Sequence, residues 1–256
     1  MPRGEFHLVS LVLVAAVFLT TKAAAREIFL SHDLFGRQVV VLDPAHGGHD
    51  PGAVGASGLA EKDVALVLAK KIKDALTPDY TVYLTRDGDY WLDIEKRTAV
   101  ANHHRADVFV SLHAGGSLHH QAQGMAIFLY GPGSDKGLSP EPVENIRDGG
   151  ETLRPWDQIQ LRHTDKSKCL AALVHNELVA RLNPMDRGIQ SVPCLVLMGA
   201  DMPAVLVEMG YVTHPAEEKE LGDPSFMPAV AEAIGQGIRK FLGQTSGCIS
   251  NKGMID

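Results

Sequence analysis

The sequence predicts a single α/β domain, a three-layer sandwich in which helices flank a mainly parallel central sheet. Short β-branched runs alternate with longer stretches whose apolar residues recur every three or four positions. The 256 residues, 45% of them hydrophobic and 21% charged, are enough for one well-buried core. The chain shows no internal repeat and no separate binding module, so we expect one domain.

The first half of the chain alternates strand and helix. Residues 39–42 are a β-branched run that stops at Asp43-Pro44, which predicts a buried strand. A glycine-rich loop follows, and from Glu61 apolar residues recur every fourth position up to Leu76, which predicts a helix. The next predicted elements are a strand at 81–84, a helix at 94–104 capped by Asp93, and strands at 108–112 and 125–130.

The second half contains one long interruption. Residues 131–166 are rich in glycine, proline and charge and show little periodicity, so we expect an inserted loop or lid. A helix is predicted from Ser167, and the remaining predicted elements are strands at 195–197 and 205–207, a helix at 226–241 and a polar tail at 244–256.

The first 25 residues have the pattern of a secretory signal peptide. Arg3 precedes an apolar run at 8–19, and Ala23 and Ala25 suit cleavage before Arg26. A run of about a dozen residues is short for a bilayer, which takes roughly 20. We therefore expect a secreted protein without stable membrane insertion and a mature domain at 26–243, the alternative being an uncleaved anchor.

Charge and cysteine content exclude two classes of site. The net charge is −7 and no basic stripe is present, so we expect no nucleic-acid partner. Cys169, Cys194 and Cys248 show no CxxC spacing, which argues against a thiolate zinc site. Two of the three could pair in an oxidising compartment, and the sequence does not say which two.

Three potential metal ligands lie where α/β folds place their sites, at strand ends and in the loops that follow. His46 follows the first predicted strand, Glu61 opens the helix after it, and His113 ends the strand at 108–112. Two imidazoles and one carboxylate form the ligand set of many catalytic zinc sites and leave a position open for water. Spacing alone leaves open that either histidine is structural.

Glu208 is a candidate proton carrier. It stands at the end of an apolar strand, where burying a carboxylate is costly unless the group is paired or functional. One interpretation is a salt-bridged glutamate at a strand end. The other is a general base that takes a proton from water and returns it to a leaving amine.

Other polar residues fit structural roles better. His49 lies in a flexible loop, and we do not expect it to touch a metal. His103 and His104 are expected on a solvated helix face, His119 and His120 in a loop, and Arg97 in an internal ion pair.

Several motifs together resemble one family. They are DPAHGGHDPGA at 43–53, EKD at 61–63, RTAVAN at 97–102, ADVFV at 106–110, SLHA at 111–114 and LVEMGYV at 206–212. In this order, and over residues 39–241, the chain resembles the zinc N-acetylmuramoyl-L-alanine amidases of the amidase-3 family. Ala45 and Gly115 depart from the family pattern, which has glycine and asparagine there. The Gly115 change removes a side chain that could reach the substrate or brace the loop.

The resemblance implies a specific enzyme. It implies a zinc exopeptidase-like fold with about six strands, and one Zn²⁺ per chain held by His46, Glu61 and His113. Glu208 would be the catalytic residue. The substrate would be peptidoglycan, cut between N-acetylmuramic acid and L-alanine during wall turnover or daughter-cell separation. We further expect a periplasmic monomer and allow for an activator protein.

The resemblance also raises a question about residues 131–166. Related division amidases carry an inserted helix there that plugs the zinc site with a carboxylate until an activator removes it. The carboxylates available here are Glu141, Glu144, Glu151 and Asp157, and Pro155 suits a first helical turn. The alternatives are a mobile surface loop and a wall of the substrate groove.

Two other functions compete with the amidase. A zinc peptidase acting on another exported substrate would share the chemistry and would differ in its products. A non-catalytic wall-binding regulator would be expected to have lost at least one ligand or Glu208.

Overall fold

The computed structural model describes residues 36–131, 146–148, 151–153 and 156–244. Their strands and helices, in chain order, are β1 (Val39–Pro44), α1 (Glu61–Leu76), β2 (Thr81–Leu84), α2 (Ile94–His103), β3 (Val108–Gly115), β4 (Met125–Tyr130), β5 (Ile146–Asp148), β6 (Glu151–Leu153), α3 (Thr164–Leu182), β7 (Asp186–Val192), β8 (Ala204–Tyr211), α4 (Pro215–Leu221) and α5 (Phe226–Leu242). Six of these strands form one sheet in the order β2-β1-β3-β8-β4-β7. The predicted α/β architecture is confirmed.

The sheet is parallel except where β4 meets β8. Ala126 of β4 pairs with Glu208 of β8 in antiparallel register, whereas β3 and β8 pair in parallel and align His113 with Glu208. The start of β4 therefore lies beside the carboxyl ends of β3 and β8. Since β7 is parallel to β4, its first residue lies at the same edge, which we call the site edge.

Strict alternation along the strands fills a core on each face of the sheet. Val40 and Leu42 of β1 point to the face covered by α1, α3 and α5, and Val41 between them points to the other face. On that second face Val41 joins Ala101 of α2 and Leu197. Because both faces are covered, the central strands are continuous apolar runs rather than half-polar ones.

One predicted strand is wrong, and three observed strands, β5, β6 and β7, were not predicted. Residues Leu195–Leu197 form a 3-10 turn that packs the fully buried Leu197 into the second core. The sixth strand of the central sheet is instead β7, whose sequence DRGIQSV is largely polar. Because β7 is the outermost strand on one side of the sheet, its residues alternate between exposed and half-buried positions. The short helix α4 was also missed, and α3 begins three residues before the predicted Ser167.

The flanks of segment 131–166 lie at the edge opposite the site edge. The segment leaves the end of β4, and Gln160 donates hydrogen bonds to the carbonyls of Ala200 and Met202, just before β8. Between these flanks, β5 and β6 form a separate antiparallel pair. Glu141, Glu144 and Pro155, and the side chains of Glu151 and Asp157, lie outside the described residues, so the plug stays a prediction.

The structure tests the predictions about the cysteines and about the two ends of the chain only in part. Cys169 is disulfide-bonded, and Cys194 is a free, half-buried thiol whose pKa burial raises to about 11. The predicted signal peptide at 1–25 and most of the tail at 244–256 lie outside the described residues. Within the described part of the chain, none of the helices has the length and apolar content needed to cross a membrane.

Candidate metal centre and catalytic glutamate

The structure brings His46, Glu61 and His113 together at the site edge. One ligand atom from each side chain lies within 4.8 Å of the other two. The Glu61 carboxylate lies between the imidazoles, with Oε2 3.1 Å from His46 Nε2 and Oε1 2.9 Å from His113 Nδ1. This geometry follows from the topology, because β1 and β3 are adjacent and α1 begins just beyond them. Such a cluster can hold a divalent cation.

Glu61 is a buried carboxylate with both oxygens oriented by the backbone. The amide of Ala53 donates to Oε2 at 3.0 Å and that of Ala114 to Oε1 at 3.2 Å. Burial would raise the pKa of Glu61, but hydrogen bonds with His113 and His46 outweigh burial and hold it well below the usual carboxyl range. Glu61 therefore supplies a full negative charge to the centre.

His46 is held in one orientation by Asp50. Asp50 Oδ2 lies 2.7 Å from His46 Nδ1, and Asp50 Oδ1 accepts a hydrogen bond from the amide of Gly52. This contact leaves Nε2 facing Glu61 and fixes which nitrogen can bind a metal. Burial would lower the pKa of His46, but Glu61 and Asp50 together raise it to about 9.

Two buried arginines clamp the loop that carries His46. His46 itself has a left-handed backbone with φ 59°, a conformation that costs energy for a residue with a side chain. Arg97 donates to the carbonyls of Pro44 and His46, both at 2.8 Å, and Arg86 donates to that of Ala45 at 2.6 Å. These bonds stabilise the loop in its unusual conformation and so position the ligand.

Arg97 also forms the internal ion pair expected from the sequence. Its guanidinium lies 2.8 Å from the fully buried carboxylate of Asp43. Asp43 further accepts hydrogen bonds from Thr85 at 2.5 Å and Ser111 at 2.8 Å. The network joins β1 to β3 and α2 directly beneath the metal centre.

Gly52 is required for close approach of the loop to two ligands. A Cβ at this position would lie 2.6 Å from His46 Cδ2 and 2.7 Å from Glu61 Oε2. Real Cβ contacts are almost never shorter than 3.0 Å, so a side chain there would displace one of the two ligands. The glycine thus leaves room for the ligand geometry.

Glu208 lies on the strand next to His113. The two residues are direct partners in the β3–β8 pairing, so their side chains lie on the same side of the sheet. The amide of Gly115 donates to Glu208 Oε1. Burial, followed by the charge of Glu61, raises the pKa of Glu208 to about 8. A carboxyl with such a pKa can both accept and donate a proton near neutral pH.

The space beside Gly115 belongs to Tyr211 and Glu208. A Cβ on Gly115 would lie 3.0 Å from the Tyr211 ring and 3.1 Å from the Glu208 carboxyl carbon. An asparagine there would require both side chains to shift. In this chain the missing side chain is therefore replaced by a closely packed tyrosine.

The other histidines considered in the sequence analysis lie outside the cluster. His49 packs against Trp91 with ring centroids 4.7 Å apart, and His104 stacks on Tyr83 at 3.7 Å. His103, His119 and His120 are exposed. Asp50 and Tyr211 stood in recognised motifs without an assigned role, whereas no sequence signal identified Arg86 as a neighbour of the centre.

Comparison with known proteins identifies the family of this chain. The family described as N-acetylmuramoyl-L-alanine amidase (Amidase_3) matches residues 40–240. The chain is similar to the N-acetylmuramoyl-L-alanine amidases AmiC of Neisseria meningitidis (35% identity, covering 80% of this chain and 53% of the relative) and AmiA of Escherichia coli (33% identity, covering 81% and 77%). It therefore spans about half the length of the Neisseria relative.

A solved structure gives the same result for the fold. The catalytic domain of CwlV, an N-acetylmuramoyl-L-alanine amidase from Bacillus (Paenibacillus) polymyxa var. colistinus, superposes with a TM-score of 0.64 at 32% identity. The match covers 80% of this chain and 98% of that domain.

Proposed function

Since this chain belongs to the N-acetylmuramoyl-L-alanine amidase family, we propose that the whole protein is a zinc-dependent amidase of peptidoglycan. The bond cleaved joins the lactyl group of N-acetylmuramic acid to L-alanine. The observation that carries the proposal is the His46–Glu61–His113 cluster, with Glu208 on the adjacent strand.

The cluster fits Zn²⁺ better than Mg²⁺ or Ca²⁺. Two imidazoles and one carboxylate suit Zn²⁺, whereas Mg²⁺ and Ca²⁺ prefer oxygen ligands alone. The buried Glu61 charge and the Asp50 contact to His46 are the outer support that such sites use. When bound, Zn²⁺ would polarise the scissile carbonyl and lower the pKa of the attacking water.

The protein's own groups would move the protons. Glu208 would accept a proton from the attacking water and give it to the nitrogen of the departing L-alanine. The Gly115 amide holds one oxygen of Glu208. This contact keeps the carboxyl facing His113 on the neighbouring strand.

Neither alternative function has a specific observation in its favour. A degenerate wall-binding regulator would not need all four side chains in one constellation. A zinc peptidase on another substrate would share the site, and its products would distinguish it.

Export to the periplasm and an activator protein belong to the same proposal. The apolar run at 8–19, followed by Ala23 and Ala25, supports a signal peptide. Because peptidoglycan lies outside the cytoplasm, the enzyme would need export to reach it. The control exerted by segment 131–166 or by an activator stays a prediction.

The test is a digest of purified sacculi with the zinc-loaded protein, analysed by mass. We expect intact glycan strands with free lactyl carboxylates, and released peptides that begin with L-alanine. Chelation should abolish the reaction and Zn²⁺ should restore it. Release of peptides lacking the N-terminal L-alanine would instead identify a peptidase.

Two variants separate metal binding from proton transfer. His113→Ala should lose both zinc and activity. Glu208→Gln should keep zinc and the folded state but lose roughly 10²–10⁴-fold in turnover, the usual worth of general acid–base help. A Glu208→Gln protein whose zinc content falls in step with its activity would show that Glu208 acts as a ligand or a structural residue.

A further inference from the structure

We propose that Arg187 and Tyr211 form a subsite for a carboxylate of the substrate's peptide, beside Glu208. The inference rests on the proposed amidase function and adds a specificity-determining residue to it. Arg187 is the second residue of β7, and Tyr211 is the last residue of β8.

The guanidinium of Arg187 lies over the Tyr211 ring. Its central carbon is 5.5 Å from the ring centroid, within the range of a cation–π contact. The aliphatic part of the side chain passes close to Gly124, where a Cβ would lie 3.2 Å from Arg187 Cγ. These contacts fix the position of a long side chain at the site edge.

The carboxylate of Glu217 stabilises the backbone near Arg187 and Tyr211 without forming an ion pair with the Arg187 guanidinium. Its two carboxylate oxygens accept hydrogen bonds from the amides of Gly124 and Tyr211, at 2.6 and 2.7 Å. Among the described residues, Arg187 has no carboxylate within ion-pair distance, and its one hydrogen bond, to the Gln123 carbonyl, is long at 3.5 Å. The exposed guanidinium is therefore available to an anionic ligand.

The order of strands places this charge on the leaving-group side of the reaction. Across the sheet, His113 lies on β3, Glu208 on β8 and Arg187 on β7, with β4 between the last two. The metal ligands lie on the side of the scissile carbonyl, and Glu208 faces the amine that departs. The peptide attached to that amine continues in the direction of Tyr211 and Arg187.

The distance suits a carboxylate near the scissile bond. Two strand spacings of about 4.8 Å separate the backbones at Glu208 and Arg187. An extended peptide covers about 3.5 Å per residue, and the arginine side chain shortens the gap further. The carboxylate would belong to the second or third residue of the peptide, and a forked guanidinium can bind it through two hydrogen bonds.

The experiment measures kcat and KM on three muropeptides with the zinc-loaded, full-length protein. One substrate carries all its carboxylates free, one has the side carboxylate of the second peptide residue amidated, and one has that of the third residue amidated. The wild type should cleave the first, and we expect amidation at one of the two positions to lower kcat/KM roughly 10–100-fold, mainly through KM. Arg187→Gln should lose the same factor on the free substrate and no longer discriminate against the amidated one.

Arg187→Lys and Arg162→Gln serve as the matched variants. Arg187→Lys keeps the charge and should retain part of the preference, while the exposed Arg162 pairs with Asp201 at the opposite edge and should not matter. A wild type that cleaves all three substrates equally would overturn the subsite whatever the variants do. So would an Arg187→Gln protein that keeps the wild-type preference. Failure to cleave any muropeptide would contradict the proposed amidase function itself.

Discussion

At the residue scale, two glycines before α1 share a left-handed backbone but differ in their surroundings. Gly52 has φ +66° and lies against His46 and Glu61, whereas Gly58 has φ +91° and nothing within 4 Å of a built Cβ. Alanine at either position takes on the same kind of backbone strain, of about 1–2 kcal/mol. Only at Gly52 would it also displace metal ligands.

Gly52→Ala should therefore weaken zinc binding, and Gly58→Ala should not. We expect the zinc dissociation constant of Gly52→Ala to rise roughly 10–100-fold, as when other supports of a metal site are lost. Competition with a chromophoric chelator measures it, and thermal unfolding reports the shared backbone cost. Equal zinc affinities in the two variants would mean that the ligands adapt to the added methyl group.

At the element scale, the ion pair between β1 and α2 is the buried connection beneath the centre. Asp43 is fully buried, and Arg97 is 4% exposed, so removing one partner leaves an uncompensated charge in a low-dielectric interior. Lys96, the neighbouring residue on the same helix, pairs with Asp93 in solvent. The two cations differ in burial rather than in charge.

Arg97→Met should lower the free energy of unfolding by about 3–5 kcal/mol, the usual cost of breaking a buried pair. Lys96→Met should leave it nearly unchanged, because water screens exposed pairs. Urea denaturation of the two variants beside the wild type measures the difference. A similar small loss in both variants would show that water reaches Asp43.

Helix α4 is tied to the loop before α1 by Glu218, and this connection depends on pH. The carboxylate accepts hydrogen bonds from the hydroxyl and amide of Ser57 and from the amide of Ala56. These bonds, the Ser57 hydroxyl first, lower the pKa of Glu218 below its ordinary value of 4.5. A lowered carboxyl pKa contributes stability that is fully present above 4.5 and is lost as the pH falls through the lowered value.

Glu218→Gln should therefore lower the thermal midpoint at pH 7, and its difference from the wild type should shrink as the pH falls below about 4.5. Glu220→Gln, on the exposed side of the same helix, is the control and should change little at either pH. Calorimetry at pH 7 and at two acidic values tests this. If the difference in thermal midpoint stays constant with pH, the substitution acts through the shape of the side chain and not through its charge.

At the scale of the whole molecule, the sequence predicted the elements that have a clear apolar pattern and could not predict the polar edge strand β7. Residues 39–42 and 108–110 are uniformly apolar because both sheet faces are covered, so their strands were recognisable. Edge strand β7 is half-solvated and polar, whereas the apolar turn Leu195–Leu197 buries only Leu197 completely in the second core and leaves Leu195 exposed. Composition alone does not distinguish a polar edge strand such as β7 from a loop, or an apolar turn such as Leu195–Leu197 from a strand.

The residues of the site also include some that the sequence could predict and some that it could not. His46, Glu61, His113 and Glu208 could be predicted because each stands in a motif at a strand or helix end. Arg86 and Arg187 stand in no recognised motif, and the contact of Tyr211 with Arg187 could not be predicted because it depends on which strands become neighbours. The order β3-β8-β4-β7, with a late strand inserted between two early ones, is a property of the folded sheet.

The position of β8 late in the sequence also determines the order in which the parts of the site are synthesised. All three side chains of the metal cluster are synthesised by residue 113, but β8, which completes the centre of the sheet, is the last strand among the described residues. A chain that emerges amino terminus first therefore holds the three side chains of the metal cluster long before β3 pairs with β8 and Glu208 lies beside His113. Chains that stall or are cut before β8 would lack Glu208 and would leave β3 and β4 unjoined. The four side chains on which the proposed function rests are thus not all present until nearly the whole described domain has been synthesised.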